Sequence, residues 1–307
     1  MKKFALLALI SIAVVSLSAF ISLNDDDEKL HFLVIGDWGR NGEQFQQQVA
    51  DQMNKTAIET EPEFVINVGD NFYCCGVAST QDPQWQNSFE KVYHYHSLQI
   101  DWYSILGNHD YHGNPQAQID YSKISRRWRM PARYYTIRQQ IDDNTAVRLV
   151  FLDTNPFVKK YVTHAEEYAD VARQDTQKQL EWLKKVLATS KEQWKIVIGH
   201  HPVYSVGDHG NTKELVERLK PILEKYKVHA YFCGHDHDLQ HLKPIGSEVD
   251  YFVSGAGSEV TPVKPNEFTK FATATAGFAS VSLSKDSLRL QFIDGQGHII
   301  YRTSRGK

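Results

Sequence analysis

The sequence predicts a single α/β domain in which two packed, mixed β-sheets are flanked by helices. Apolar runs typical of buried strands recur along the chain, helical patterns separate some of them, and no long Gly/Ser linker divides residues 30–300. A chain of 307 residues is long enough to bury one large core. The runs that predict strands are His31–Ile35, Phe64–Val68, Trp102–Leu106, Val147–Leu152, Trp194–Ile198, Ala230–Cys233 and Tyr251–Val253.

Other segments predict helices and a hairpin. Asp175 is a suitable N-cap for one helix, and residues 213–226 show a second amphipathic pattern that Pro221 interrupts. Gly277–Leu283 and Ser287–Phe292 alternate in polarity, which is typical of an antiparallel hairpin. The apolar positions on one face of the first helix are Leu180, Leu183 and Leu187.

The start of the chain predicts export. Two lysines followed by the apolar stretch Phe4–Ala19 are typical of a signal peptide, which we assign to residues 1–19. An uncleaved membrane anchor is the alternative, because the stretch is nearly long enough to span a bilayer. Residues 20–29 predict an acidic leader, and residues 30–307 the folded domain. We therefore expect a secreted or periplasmic protein that has no membrane attachment after cleavage.

Charge and cysteine content narrow the class of protein. The formal net charge of −3 gives no basic surface of the kind that nucleic-acid binding requires. Three cysteines do not make a disulfide framework, so stability is expected to come from the core. The adjacent Cys74 and Cys75 either form a vicinal disulfide or remain thiols, and the sequence favours neither. Cys233 lies in a predicted buried strand and is expected to be inert.

One pattern occurs five times: an apolar run ends in glycine, and the next residue is a potential metal ligand. A strand fixes the direction of the chain, and glycine permits a sharp turn and a close backbone approach. Because the carboxyl ends of strands in α/β sheets line a common crevice, these side chains are expected to converge. Their oxygen and imidazole donors suit first-row metal ions. The residues that follow the five glycines are Asp37, Asp70, Asn108, His200 and His235, with His237 and Tyr73 nearby.

These motifs resemble those of the purple acid phosphatases, and particularly the small, mammalian-type tartrate-resistant acid phosphatases. The resemblance extends over about residues 31–295, and Tyr73 together with the Gly-Asp-Trp-Gly form of the first motif distinguishes it from a generic metallophosphoesterase. It implies the metallophosphoesterase-type sandwich as the fold. The matching segments are Gly36-Asp37-Trp38-Gly39, Gly69-Asp70-Asn71-Phe72-Tyr73, Gly107-Asn108-His109-Asp110, Val197-Ile198-Gly199-His200 and Gly234-His235-Asp236-His237.

The resemblance also implies a division of the ligands between two metal ions. It gives Asp37, Tyr73 and His237 to the first ion. It gives Asn108, His200 and His235 to the second, with Asp70 bridging both. The donors agree with this division, because an unperturbed tyrosine ionises only near pH ~10, so a phenolate ligand calls for Fe(III). The second site lacks the phenolate and suits a divalent ion: Fe(II), Zn(II) or Mn(II).

The implied function is an exported acid phosphatase that hydrolyses phosphate monoesters by in-line attack of a hydroxide bound to an Fe(III)–M(II) centre. We expect His209 to donate a proton to the leaving group, with Asp208 orienting it or sharing the role. His109 is expected to steady the phosphate. A plain surface-loop histidine is the alternative interpretation of His209. The pH optimum is expected to be acidic. The expected substrates are small phosphorylated molecules, with phosphoproteins or nucleotides as possible members of the class. The protein is expected to be a monomer.

Three other functions are consistent with parts of the pattern. A phosphodiesterase or nucleotide pyrophosphatase would use the same ligands with different loops. A non-catalytic iron-binding protein would keep the centre without turnover, although the histidines outside the ligand set speak against it. An ordinary manganese or zinc phosphoesterase would leave Tyr73 unliganded.

The segment from residue 155 to 170 departs from the mammalian-type pattern. In those relatives a disulfide ties the corresponding loop to a cysteine near the positions of Thr212 and Lys213, and cleavage of the loop raises activity. Neither cysteine is present here, so we do not expect that disulfide or that regulation. Lys159 and Lys160 are interpreted as part of a solvated loop, with contact to an anionic substrate as the alternative.

Overall fold

The computed structural model describes residues 29–168 and 170–307. The predicted signal peptide and all of the acidic leader except Lys29 lie outside the described residues. Among the residues that are described, no helix combines the length and apolar character needed to cross a bilayer.

The described residues form two seven-stranded sheets, and each sheet mixes parallel and antiparallel pairs, as the sequence predicted. In chain order the strands are β1 (Leu30–Ile35), β2 (Phe64–Asn67), β3 (Asp101–Ser104), β4 (Trp128–Arg129), β5 (Tyr135–Gln140), β6 (Ala146–Phe151), β7 (Trp194–Ile198), β8 (Ala230–Cys233), β9 (Leu239–Leu242), β10 (Asp250–Ser254), β11 (Thr269–Thr273), β12 (Gly277–Leu283), β13 (Ser287–Asp294) and β14 (Ile299–Gly306).

The first sheet has the order β14-β13-β12-β1-β2-β3-β4, and the second β11-β9-β10-β8-β7-β6-β5. In the first sheet β1, β2 and β3 run parallel, and in the second β6, β7, β8 and β10 do so. The carboxyl ends of parallel strands meet at one edge of a sheet. This arrangement therefore brings the ends of β1, β2 and β3 to one edge of the first sheet, and those of β7 and β8 to one edge of the second.

The core lies between the sheets and on both outer faces. Phe32 and Val34 of β1 pack between the sheets, whereas Leu33, which alternates with them, packs on the outer face of the first sheet. The same alternation separates Leu149 from Val150 in β6. Burial on both faces explains why these strands appear in the sequence as continuous apolar runs.

The helices cover the outer faces. Asp175 caps α4 by accepting a hydrogen bond from the Lys178 amide at 2.9 Å, as predicted. The second predicted helix divides at Leu219, just before Pro221, into two short helices. The helices are α1 (Gln46–Thr60), α2 (Pro115–Tyr121), α3 (Lys159–Thr163), α4 (Thr176–Thr189), α5 (Lys213–Arg218) and α6 (Lys220–Lys225). Shorter helical turns are Trp85–Glu90, His96–Leu98, Asp110–His112, Asn155–Phe157 and Val171–Arg173.

The predicted hairpin forms between β12 and β13, with Gly277 opposite Asp294. Five strands, namely β4, β5, β9, β11 and β14, lie outside the predicted runs. Four of them (β4, β5, β11 and β14) are the edge strands of the two sheets. Edge strands pack on fewer neighbours, so their residues need not be apolar, and composition alone did not indicate them.

Candidate metal centre

The phenol of Tyr73 lies at the centre of one group of predicted ligands. Its Oη is 3.1 Å from Asp37 Oδ1, 3.1 Å from Asp70 Oδ2 and 3.0 Å from His237 Nε2. A phenol has one proton to donate, so it cannot satisfy two carboxylates by hydrogen bonding. A cation held among these four side chains would replace the missing proton and accept lone pairs from all of them.

The remaining predicted ligands lie on the other side of Asp70. His200 Nε2 is 3.4 Å from Asp70 Oδ2 and 3.2 Å from Asn108 Oδ1. The ring of His235 packs with its centroid 5.1 Å from that of His200. Its own backbone amide donates to the Asp37 carboxylate. All seven predicted metal ligands therefore fall in one cluster, and Asp70 lies between its two halves.

The strand ends reach this cluster through unusual backbone conformations. Asp37, Asp70 and His235 have φ angles of 57°, 50° and 72°. Such left-handed conformations cost energy in residues other than glycine and are concentrated at functional sites. The preceding glycines mostly serve close approach instead. A Cβ added to Gly107 would lie 2.1 Å from Asp70 Oδ1, and one added to Gly234 would lie 2.2 Å from Asp37 Oδ2.

The electrostatics of the cluster favour a bound cation. Burial raises the pKa of Asp37 well above its ordinary value, and the neighbouring Asp70 raises it further. Burial and the same two carboxylates raise the pKa of the Tyr73 phenol. Burial alone would lower the pKa of His200, but the charge and hydrogen bond of Asp70, together with the charge of Asp37 and the Val68 carbonyl, outweigh burial and raise that pKa to about 9. The donors thus compete for protons, and metal ions would relieve that competition while all donors stay deprotonated.

Comparisons with known proteins agree with this geometry. The sequence matches the calcineurin-like phosphoesterase family over residues 30–239. Purple acid phosphatase 17 of Arabidopsis thaliana is 40% identical over 298 residues, which cover 93% of this chain and 87% of that protein. The chain belongs to the purple acid phosphatase family. It is therefore a phosphatase with a binuclear metal centre. The human tartrate-resistant acid phosphatase type 5 is 37% identical, covering 89% of this chain and 90% of that protein.

Two solved structures share the fold of this purple acid phosphatase. GAP50, described as the anchor in the inner membrane complex of Plasmodium, superposes with a TM-score of 0.81 at 24% identity, covering 91% of this chain and 89% of that one. The purple acid phosphatase PPD1 of yellow lupin (Lupinus luteus) superposes with a TM-score of 0.67 at 17% identity, covering 90% of this chain and 53% of that one. The predicted two-sheet architecture is thereby confirmed.

His109 and His209, the two histidines outside the ligand set for which the sequence predicted a role, flank the cluster of this phosphatase. His109 donates its backbone amide to Asp70 Oδ1 at 2.8 Å, and its ring Nδ1 is 2.6 Å from the Cys74 carbonyl oxygen. His209 is exposed and stacks on His235, with ring centroids 4.1 Å apart. Both line a cavity of about 490 Å³ that opens from the cluster. Four predicted ligands also line this cavity: Asp70, Asn108, His235 and His237.

The loop that carries His209 is held by Asp236, a role that sequence reasoning did not assign. Asp236 Oδ1 accepts the His209 amide at 2.8 Å, and Oδ2 accepts the Ser205 hydroxyl. Asp208 is exposed beside His209, and among the hydrogen bonds of residues 29–168 and 170–307 none joins the two. The role predicted for Asp208 stays a prediction. The position of Asp236 between two predicted ligand histidines, His235 and His237, indicated that it lies near the cluster. Nothing in the sequence indicated that it binds the loop that carries His209.

His201, which follows a ligand, has partners of its own. Its Nδ1 lies 2.8 Å from Thr154 Oγ1 and its Nε2 lies 3.2 Å from Tyr161 Oη. Its nitrogens come close enough to those of His200 and His235 to form a potential metal-binding group. Because both ring nitrogens of His201 already face hydroxyl groups, we interpret it as a buried support for the cluster.

The loop from residue 155 to 168 forms one wall of the cavity. Tyr161, Tyr168 and Lys160 line it, so contact between Lys160 and a substrate remains an open alternative. The loop is attached without a disulfide: the Lys159 amide donates to Glu214 Oε1 at 3.0 Å. Next to the predicted ligand Tyr73, the exposed Cys74 and Cys75 form a disulfide, which resolves the choice that the sequence left open, and Cys233 is buried as expected.

Proposed function

We propose that this phosphatase is an exported acid phosphatase that hydrolyses phosphate monoesters at a centre of Fe(III) and a divalent ion, which is Fe(II), Zn(II) or Mn(II). The observation that carries the proposal is the position of Tyr73 Oη, within 3.1 Å of two carboxylates and a histidine. This environment supplies the anionic donors that Fe(III) requires. A generic phosphoesterase centre has no need of a phenol at that point.

The ligands divide as the charges of the donors suggest. Asp37, Tyr73 and His237 would hold Fe(III), because this half collects the anionic oxygens. Asp70 would bridge, since its Oδ2 faces Tyr73 at 3.1 Å and His200 at 3.4 Å. The neutral donors that would hold the divalent ion are Asn108, His200 and His235. When bound, the two ions would polarise the phosphate and supply a water that ionises near or below neutral pH.

Side chains at the cavity would donate the proton to the leaving group and bind the phosphate. His209 stands over His235 and is exposed, so its ring nitrogen can reach a leaving-group oxygen and donate a proton to it. Asp236 fixes the backbone of that loop, and Asp208 would share in orienting or protonation. His109, with Nε2 4.0 Å from Asp70 Oδ2, would steady the phosphate. An acid optimum follows, because the proton donor must be protonated.

The test is a visible absorption spectrum of the purified protein with its metal content and its rates on p-nitrophenyl phosphate and bis-p-nitrophenyl phosphate across pH 4–8. We expect two metal ions per chain, a purple or pink colour, an acid optimum and faster monoester hydrolysis. Tyr73→Phe should lose the colour. Tyr95→Phe is the matched control, because Tyr95 also donates to a carboxylate, Asp51, but lies outside the cluster.

The other outcomes correspond to the alternative functions. Two metal ions without colour would indicate a manganese or zinc phosphoesterase with Tyr73 unliganded. Faster hydrolysis of the bis-ester would indicate a phosphodiesterase or pyrophosphatase, and bound iron without turnover a storage role.

The cellular location and the oligomeric state of the protein are proposed from its N-terminal sequence and its single folded domain. We propose that residues 1–19 are removed on export, that residues 20–29 form a solvated leader and that residues 30–307 act as a monomer in the secreted or periplasmic space. Sequencing of the mature N-terminus and light scattering in solution test this. A mature protein that retains Phe4 would contradict the cleavage.

A further inference from the structure

Three residues outside the predicted ligand set contact the Fe(III) half of the cluster. The guanidinium carbon of Arg40 lies 3.9 Å from the centroid of the Tyr73 ring. The same guanidinium pairs with the Glu259 carboxylate, and its Nε donates to Ser258 Oγ at 3.2 Å. Arg40 is therefore fixed over the phenol by two partners from the segment that follows β10.

The same segment also reaches the other two predicted ligands of that ion. The buried Ser258 donates its hydroxyl to the Asp37 carbonyl oxygen at 2.6 Å. Glu259 Oε2 lies 3.4 Å from His237 Nδ1, a buried ring nitrogen that has no hydrogen bond among the described residues. The opposite ring nitrogen of His237 faces Tyr73 Oη at 3.0 Å. Each predicted Fe(III) ligand thus touches one member of a single cluster: Arg40, Ser258 or Glu259.

We propose that this Arg40–Ser258–Glu259 cluster positions and tunes the three ligands of the Fe(III) half, so that its members act as positioning residues for the metal centre. The inference rests on the proposed function. A cation over the face of an aromatic ring is attracted to it, and the attraction is stronger when the ring is an anion. Arg40 would therefore stabilise Tyr73 in its phenolate form.

Glu259 would act on the histidine. A carboxylate facing Nδ1 can accept a hydrogen bond from its N–H, which keeps the proton on Nδ1, leaves the lone pair of Nε2 free to bind a metal and makes the imidazole a stronger donor. Arg40 also compensates the charge of Glu259, so the carboxylate does not add to the negative charge of Asp37 and Asp70. Ser258 would fix the backbone of Asp37, whose φ of 57° requires support.

The variants that test the proposal are Arg40→Ala, Arg40→Lys and Glu259→Gln, with Arg129→Ala and Asp101→Asn as matched controls. Arg129 and Asp101 form an ion pair of 2.9 Å on the first sheet, away from the ligands. The readouts are the wavelength of the visible absorption band and the rate at which a chelator removes the metal ions. Circular dichroism and thermal unfolding verify that each variant is folded.

We expect Arg40→Ala to move the band to longer wavelength, because the phenolate electrons lose the nearby positive charge. Arg40→Lys keeps the charge without the flat stacking, so its band should lie between those of the wild type and Arg40→Ala. Glu259→Gln should speed metal loss by about 10–100-fold, the usual cost of removing a partner of a metal ligand. The controls should match the wild type in both readouts.

Two outcomes separate the inference from the proposed function. A wild-type protein without the band overturns the proposed function, and the role of the cluster with it. A wild-type band that stays at the same wavelength in folded Arg40→Ala, with unchanged metal loss in Glu259→Gln, overturns the role of the cluster alone.

Discussion

The two halves of the proposed centre differ in what surrounds them. The half of Asp37, Tyr73 and His237 is backed by the charged Arg40–Ser258–Glu259 cluster. In the other half, Asn108 and His235 line the open cavity, where His209 stacks on His235, and His200 is fully buried. The first half concentrates negative charge, and the half-buried cation of Arg40 packs on its phenol. The second half is built from neutral donors, so it needs less compensation and leaves room for substrate and for a proton donor.

The strongest test of this comparison removes the residue that joins the halves. Asp70→Asn changes the carboxylate whose Oδ2 lies 3.1 Å from Tyr73 Oη and 3.4 Å from His200 Nε2. We expect loss of both metal ions and a fall in activity on the order of 10⁴-fold or more, because the charge stabilisation by the ions is lost. Metal analysis and hydrolysis of p-nitrophenyl phosphate measure this. Asp101→Asn is the control, and two metal ions retained in Asp70→Asn would contradict the bridge.

A substitution of a residue at the cavity should lower the rate of hydrolysis without changing the metal content. His209→Ala should keep both metal ions but slow hydrolysis of an alkyl phosphate by about 10²-fold, the usual contribution of a general acid. The loss should be smaller for p-nitrophenyl phosphate, whose leaving group hardly needs a proton. His94→Ala serves as the control, since His94 is exposed and its Nδ1 lies 2.7 Å from the Lys91 carbonyl oxygen. Equal losses on both substrates would contradict the role of proton donor, and unchanged rates on both would indicate a surface-loop histidine.

A milder change loosens the His209 loop without removing the histidine. Asp236→Asn weakens the hydrogen bonds from the His209 amide and the Ser205 hydroxyl. We expect an activity loss of about 10-fold, with the same dependence on leaving group as in His209→Ala. Asp294→Asn is the matched control, because Asp294 accepts loop amides far from the cavity. A loss of metal ions in Asp236→Asn would mean that this carboxylate supports the ligand histidines instead.

The smallest effect on catalysis is expected far from both halves, at Asp250. Burial raises the pKa of Asp250, but hydrogen bonds from His241 and Arg305 and the charge of Lys243 outweigh burial and hold the pKa at about 2. The folded pKa lies below the unfolded one. The resulting stabilisation is therefore complete above pH ~4–5 and is lost as the pH falls through the folded pKa.

Asp250→Asn should accordingly leave activity unchanged and lower the free energy of unfolding at pH 7 by on the order of 2 kcal/mol. The difference from the wild type should shrink to roughly half by pH 3. Urea unfolding at both pH values measures it. A difference that stays constant between them would contradict the assigned pKa.

Five of the seven candidate ligands were predictable because each directly follows a recognisable strand end, and the two roles that the sequence suggested for the glycines, a sharp turn and a close approach, both occur. Gly69 does adopt a positive φ of 98°. Gly107 and Gly234 are required because a neighbouring carboxylate lies where a Cβ would be, and the left-handed turns fall on the ligands themselves. Strand-end patterns report local geometry, whereas a close approach between segments depends on which strands become neighbours.

The sequence by itself determined the two-sheet α/β fold, the seven candidate ligands and the family, because apolar runs and strand-end motifs are local and follow from the chemistry of neighbouring residues. Only the tertiary structure decided which side chains support them. Arg40 and Glu259 are 219 positions apart and Asp37 and His235 are 198 apart, and each pair meets only because the two sheets pack face to face. Contacts of that kind depend on how the sheets are ordered, which no single segment encodes.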